Sequence, residues 1–394
     1  MTIVTSFYCC GIDNIMRYFF PFTLYMAVCC SWGCKRPEEP DIPKLPFRTV
    51  MVYMAANNNL APYAVENINS MESCIRDVDG TLLVYAKISG DPPAIYRIAS
   101  DDSPQIKSGK LKTYPNHNSS DPEVMKMVFD DMQRASPAQT YGAVLWSHAT
   151  GWIPALPRKL MSFGYDDGYG EDEREMNLKE LKTALPSDLD FIIFDACSMA
   201  SVEVLYELKD KTRYLIASPA EVISNGMPYA LITNDLFRDG ADAYIGIAQR
   251  YFQYYDRKEG LFRSATVSVF DMSHIDAVAS ASNALFVNHE SPFPDLRRPY
   301  IQRMDFDRLY NPLIAFDFVD FVTQNFGQEA TADLRDKLDS AILYKASTPT
   351  FNGYEVVVNG GVTCYIPHPD NELSVHDFYR QLSWYTHGGF HALF

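Results

Sequence analysis

The stretch that decides the fold is Phe191-Ile192-Ile193-Phe194-Asp195-Ala196-Cys197-Ser198-Met199-Ala200, an apolar run that stops on an acid and a thiol. A short, continuously apolar run suits a central strand covered on both faces. After it, Met199, Val202, Val204, Leu205 and Leu208, with Glu203 and Glu207 interspersed, read as a helix starting near Ser198. Some fifty residues upstream the same pattern recurs: Tyr141 to Trp146 reads as a strand and leads into Ser147-His148-Ala149-Thr150-Gly151-Trp152. If the two strands are parallel neighbours, His148 and Cys197 emerge on one edge of the sheet. A thiolate is the reactive form of cysteine and needs a nearby base or imidazolium to form. A helix N-terminus beside the thiol would lower its pKa further. The plain alternatives are a cysteine filling a core position at a strand end and a histidine serving as a polar turn residue.

Working outward, Thr49 to Ala55 is a β-rich run closed by Asn57-Asn58-Asn59, a turn or cap cluster. Leu60, Ala64, Ile68 and Met71 follow at helical spacing. Thr81 to Ala86 and Ala94 to Ile98 read as strands, and Asp121-Pro122-Glu123 opens a helix running to about Arg134. Arg213 to Ala217 and Ala265 to Phe270 add two more strands. Strands alternating with helices predict an α/β layered domain around a mostly parallel sheet, with ligands beyond the carboxyl ends of its strands. No internal repeat and no glycine-rich phosphate loop is present. From Asp271 the pattern turns helical, then returns to strand-like runs at Tyr354–Val358 and Val362–Ile366, as a small domain or an extension of the sheet. The expected organisation is 1–34 leader, 35–46 tether, 47–270 catalytic domain and 271–394 C-terminal region.

With 34 Lys and Arg against 50 Asp and Glu, the 394-residue chain carries a formal charge of −16. Such a chain repels phosphate backbones, which argues against nucleic-acid binding and leaves cationic peptides as plausible partners. The first 34 residues carry only Asp13 and Arg17, with an apolar run from Tyr18 to Cys30 that Pro21 interrupts. That run is too short for a membrane span and reads as an export signal, with Met16 a candidate initiator. Ser31-Trp32-Gly33-Cys34 before a Pro- and charge-rich tether resembles a bacterial lipoprotein cleavage site, which makes Cys34 the lipid-bearing residue. The alternatives are a plain cleaved signal, giving a periplasmic or secreted protein, or a buried apolar segment. Cys9, Cys10, Cys29, Cys30 and Cys34 lie in the leader, so only Cys74, Cys197 and Cys364 remain beyond it. Three widely spaced cysteines form neither a disulfide framework nor a zinc site.

The segments Val50–Leu60, Leu145–Trp152, Phe191–Leu208 and Ser218–Tyr229, with Ser162–Asp167 and Gly361–Pro367, resemble the landmarks of the clostripain-like cysteine peptidases. These are relatives of caspases, gingipains and legumain. The resemblance implies a caspase-like three-layer sandwich and a dyad in which Cys197 is the nucleophile and His148 the general base. It implies an oxyanion hole from the Cys197 and Ala149 amides, and Asp195 at the base of a pocket for Arg or Lys, with Glu221 as a second acid. The residue-level alternative for Asp195 is a helix N-cap. Three departures from the family pattern stand out: Ala149 for Gly, Asn57 and Asn59 for acids, and Pro219 within an acidic run. The Asn residues would weaken the negative potential near the pocket.

The resemblance also implies self-cleavage in the polar stretch 154–175, with Arg158, Lys159 and Arg174 as candidate sites. No cofactor is required on this reading. Calcium is a family-level suggestion, for which Asp166, Asp167, Glu171, Asp172 and Glu173 offer hard oxygen ligands without EF-hand spacing. The partner is a peptide or protein with basic residues, and the membrane is reached only through a lipid anchor. The competing readings are a catalytically inactive surface lipoprotein that binds peptides or proteins, and a thiol amidase or transpeptidase without basic specificity.

Overall fold

The computed structural model describes residues 44–153, 163–168, 176–288, 298–307 and 315–393. The leader, the lipid-anchor candidate Cys34, the self-cleavage candidates Arg158, Lys159 and Arg174, and the acids Glu171, Asp172 and Glu173 lie outside these residues.

Five apolar runs form a parallel core: β1 (Arg48–Ala56), β2 (Gly80–Ile88) and, after the short strands β3 (Ala94–Arg97) and β4 (Gly109–Thr113), β5 (Thr140–Trp146), β6 (Leu189–Asp195) and β7 (Thr212–Ala217). Three further strands, β8 (Thr266–Asp271), β9 (Phe316–Asp317) and β10 (Ile342–Ser347), follow along the chain. The main sheet runs β10-β8-β7-β6-β5-β1-β2-β3-β4, antiparallel only at its two ends. β1 is buried at every position, as a strand covered on both faces must be. Met51, Tyr53 and Ala55 face one core and Val50, Val52 and Met54 the other, following the strand's period of two.

On the first face pack α2 (Pro122–Ala135), α3 (Leu178–Ala184), α4 (Val202–Leu208) and α7 (Ile275–Val287); on the second pack α1 (Ala61–Cys74), the single turn α5 (Tyr229–Ile232) and α6 (Ala241–Asp256). Residues Leu45–Phe394 form one compact unit, so the chain beyond Asp271 belongs to it and contributes β10 to the sheet edge. The strand-like run 354–358 shortens to Tyr354–Glu355 in a two-residue hairpin pair, and 362–366 to Thr363–Cys364, which pairs with β9.

One expectation is corrected. The helix after Cys197 begins at Val202, not near Ser198. Ser198 adopts a left-handed φ of 59°, and Ser198 N and Ala200 N donate to the carbonyls of Ala220 and Ser218. These bonds keep the turn and the residues after it out of the helix until the Ser201 hydroxyl accepts from Val204 N and caps it.

Candidate active site

The register of β5 on β6 places Trp146 opposite Asp195. Two residues beyond that pair on each strand stand His148 and Cys197, and both line one cavity of about 40 Å³ with Leu60, Asp195, Val222 and Gly226. Backbone contacts hold the two strand tips together. Gly151 has φ +71°, and a Cβ there would meet the Ser198 carbonyl oxygen at 2.7 Å, so the glycine permits the approach of the His148 loop to the Cys197 loop.

Cys197 is half-buried, its sulfur set against the segment that follows β7 rather than at a helix terminus. Val222 N donates to Sγ at 3.2 Å, and the thiol pKa is pushed up to about 12, first by burial and then by the charges of Glu221, Asp307 and Asp195. The expected depression is therefore absent in this conformation, and its two causes are the displaced helix start and the enclosing 220–226 segment. Cys364 is buried, and burial raises its pKa well above the usual value.

His148 is less basic than an ordinary histidine because burial disfavours its charge, an effect opposed by Asp167. Its Nε2 lies 2.8 Å from Asn59 Oδ1. Ala149, where a glycine was expected, sits with negative φ and a Cβ buried in the core, so the methyl adds packing without backbone strain. Among the described residues neither the Ala149 nor the Cys197 amide has an acceptor.

Asp195 is buried at the end of β6. Its Oδ2 accepts from Met227 N and from the Tyr229 hydroxyl, both at 2.9 Å, while Oδ1 is buried with no partner. Burial lifts its pKa to about 6 against those two bonds. It caps no helix; Ser201 does that. Gly226 (φ +68°) lies so close that a Cβ would stand 2.6 Å from Asp195 Oδ2. Glu221 is not among the residues lining this cavity. Its Oε1 accepts from Asp307 N at 3.0 Å, Oε2 has no partner, and burial beside the Asp307 carboxylate lifts its pKa to about 7.

The asparagine run does different work from that expected. Asn57 Nδ2 donates to Asp166 and to the Asp167 carbonyl, and Asn58 ties Ala55 O, Tyr165 O and Leu60 N to one side chain. Asp166 is itself buried and receives Lys87 Nζ at 2.9 Å, Ser119 N at 2.6 Å and Ser119 Oγ at 2.9 Å. A carboxylate already neutralised by a buried ammonium does not fit a calcium ligand, and no cluster of three or more metal-binding side chains occurs among the described residues. Val222, Met227 and Tyr229 are site residues the sequence reading missed, and so is the contact of Asn59 with His148. The first three follow β7 in a segment without periodicity, and Asn59 was hidden inside a run that reads as turn chemistry.

No curated protein matches the chain. Among solved structures it resembles a secreted C11 cysteine protease from Bacteroides thetaiotaomicron in complex with an irreversible peptide inhibitor, at 30% identity and a TM-score of 0.74, covering 88% of this chain and 99% of that one. It also resembles an inactive zymogen C11 protease from Parabacteroides distasonis, at 30% identity and a TM-score of 0.73, with the same coverage. A second secreted C11 cysteine protease from Bacteroides thetaiotaomicron, named iotapain, matches at 26% identity and a TM-score of 0.73, over 88% of this chain and 100% of that one. The sequence profile of the clostripain family matches residues 52–388. With that profile reaching from within β1 to residue 388 and taking in both strand tips, the chain belongs to the clostripain family of cysteine proteases.

Proposed function

We propose that the protein is an exported endopeptidase that cleaves after Arg or Lys, with Cys197 as nucleophile and His148 as general base. The observation that carries the specificity is the buried, partnerless Asp195 Oδ1 at the cavity that His148 and Cys197 also line. A buried anionic oxygen without a donor is stabilised by a substrate cation, and a guanidinium or ammonium supplies both the charge and the missing hydrogen bonds.

In the reaction, Cys197 Sγ attacks the scissile carbonyl carbon and its proton passes to His148. The imidazolium then gives that proton to the leaving amine as the C–N bond breaks. The Cys197 and Ala149 amides, both without acceptors, are suited to hold the oxyanion. Water, deprotonated by His148, releases the acyl group and restores the thiol.

The resting site needs opening first. A cavity of about 40 Å³ holds a few waters, each needing roughly 10–15 Å³, but not a long basic side chain. Displacing the 221–226 segment would enlarge the cavity and free the thiol from Val222 N. Self-cleavage at Arg158, Lys159 or Arg174 is the proposed trigger, in keeping with a related protease described as an inactive zymogen. Export is supported by the secreted relatives and by the leader composition, with Cys34 as the proposed lipid anchor. No helix among the described residues is long and apolar enough to cross a membrane.

A peptide-library cleavage profile tests the reading. Cleavage confined to bonds after Arg or Lys, and lost in Cys197→Ala, is expected; cleavage without basic preference would instead favour a thiol amidase. Mass spectrometry of the active form should show a nick within 154–175, and an intact active chain would rule out self-cleavage as the trigger.

A further inference from the structure

The loop after β1 carries three consecutive asparagines, and the structure divides labour among them. Asn58 makes an Asx turn, its Oδ1 accepting from Leu60 N at 2.8 Å while Nδ2 reaches Tyr165 O at 2.7 Å. Asn57 joins the same loop to the 166–167 segment through Asp166 and the Asp167 carbonyl, and Asp167 N returns a bond to Asn57 O at 2.8 Å. That segment is anchored by the buried Lys87–Asp166 pair and holds the His148 carbonyl through Gly164 N at 3.0 Å. The loop and the His148 backbone are thus fastened to one support. The third asparagine, Asn59, is exposed, makes no bond to the loop's own backbone, and places Oδ1 2.8 Å from His148 Nε2.

An amide oxygen only accepts, so this contact requires the proton on Nε2 and leaves the lone pair on Nδ1. We propose that Asn59 is a positioning residue that fixes the ring plane and tautomer of His148, turning the proposed dyad into a Cys197–His148–Asn59 relay with Nδ1 as the proton acceptor. The inference rests on the reading of His148 as general base. Unlike a carboxylate, a neutral amide orients the ring without adding charge, so the imidazole stays available as a base at lower pH. The ionisable groups facing the ring are Asp167, whose charge opposes the lowering by burial, and Asp195 and Cys197 in the shared cavity; Lys87 is held by Asp166.

The test uses the full-length enzyme with a basic peptide substrate, and ¹⁵N-histidine NMR of the Cys197→Ala protein with His148 assigned by substitution. The NMR should show Nε2 protonated and Nδ1 unprotonated in the neutral form, with the tautomers mixed once Asn59→Ala is added. Asn59→Ala should lower kcat roughly 10- to 100-fold with KM within about twofold. Asn59→Asp should recover most of kcat while the acid limb of kcat/KM moves to higher pH, because the added negative charge favours imidazolium. An Asn59→Ala enzyme with unchanged kcat and pH limb, or a neutral ring protonated on Nδ1, overturns the proposal. A loss of activity in Asn59→Ala that Asn59→Asp does not recover, with a lowered Tm and an unmoved tautomer signal, assigns Asn59 a structural role and overturns it equally. Retained activity in His148→Ala would instead remove the base itself, a result separable from every outcome at Asn59.

Discussion

At the scale of single residues, Asp195 carries the sharpest expectations. Burial lifts its folded pKa to about 6, above the ordinary aspartate value of 3.8, so between those pH values the folded protein binds a proton the unfolded chain has released. Stability from this group is therefore lost as pH rises from 4 through 6, by about 3 kcal/mol at roughly 1.4 kcal/mol per pH unit. Asp195→Asn keeps an acceptor for Met227 N and Tyr229 while removing the buried charge. It should raise the urea midpoint at pH 7.5 and change it little at pH 4. The same substitution should raise KM for basic peptides at least tenfold, and in the parent enzyme KM should climb as pH drops below about 6 and the carboxyl becomes neutral. A KM that is flat from pH 5 to 8 would remove Asp195 from substrate binding. His148, Cys197 and Asp195 were legible because each stands at or just beyond the end of an apolar run. The Asn59–His148 contact was not, since it pairs residues 89 apart that no periodicity connects.

At the scale of elements, the strands announced themselves and the turns did not. β1, β5 and β6 are continuous apolar runs because both faces are covered, and their reading needs no partner information. β4, Gly-Lys-Leu-Lys-Thr, is exposed throughout and offers no pattern at all. The start of α4 was misplaced because Met199 and Ala200 extend the helical spacing, whereas the Ser198 and Ala200 amides are committed to the 218–220 segment. That segment and the 57–60 loop are elements whose form depends on distant partners. Lys87→Met should therefore act through the loop: it leaves Asp166 buried and unpaired, costing about 3–5 kcal/mol. Thermal unfolding should show the loss, and Lys87→Met with Asp166→Asn should recover part of it. An unaltered Tm in Lys87→Met would mean the pair does not support the loop. Gly226→Ala places a methyl 2.6 Å from Asp195 Oδ2 at a positive φ, and should destabilise the fold and abolish basic specificity together.

At the scale of the whole molecule, the −16 formal charge bears on the approach of the basic substrate proposed above. A strongly acidic body attracts cationic peptides over a distance of about 10 Å at 0.1 M salt. Raising ionic strength from 20 to 500 mM should lower kcat/KM for basic substrates several-fold, mainly through KM, while kcat at saturation stays level. A salt-independent kcat/KM would confine electrostatics to Asp195. The layered architecture and parallel centre were readable from the alternation of strands and helices. The edge was less so: β10 joins β8 from more than seventy residues away, and only the pairing itself reveals that the C-terminal region completes the sheet.

The Val222 amide resting on Cys197 Sγ has a consequence for chemical labelling. A thiol whose sulfur is already engaged by a backbone N–H, and whose ionisation is opposed by burial and by neighbouring carboxylates, should be a poor target for small, indiscriminate alkylators, iodoacetamide included. A bulkier reagent bearing a lysine or arginine side chain could engage Asp195, unseat the clasp and deliver its warhead afterwards. The larger molecule would then react faster than the smaller one, with a rate that saturates in reagent concentration. That inverted size order would be a signature of a lock opened by its own key.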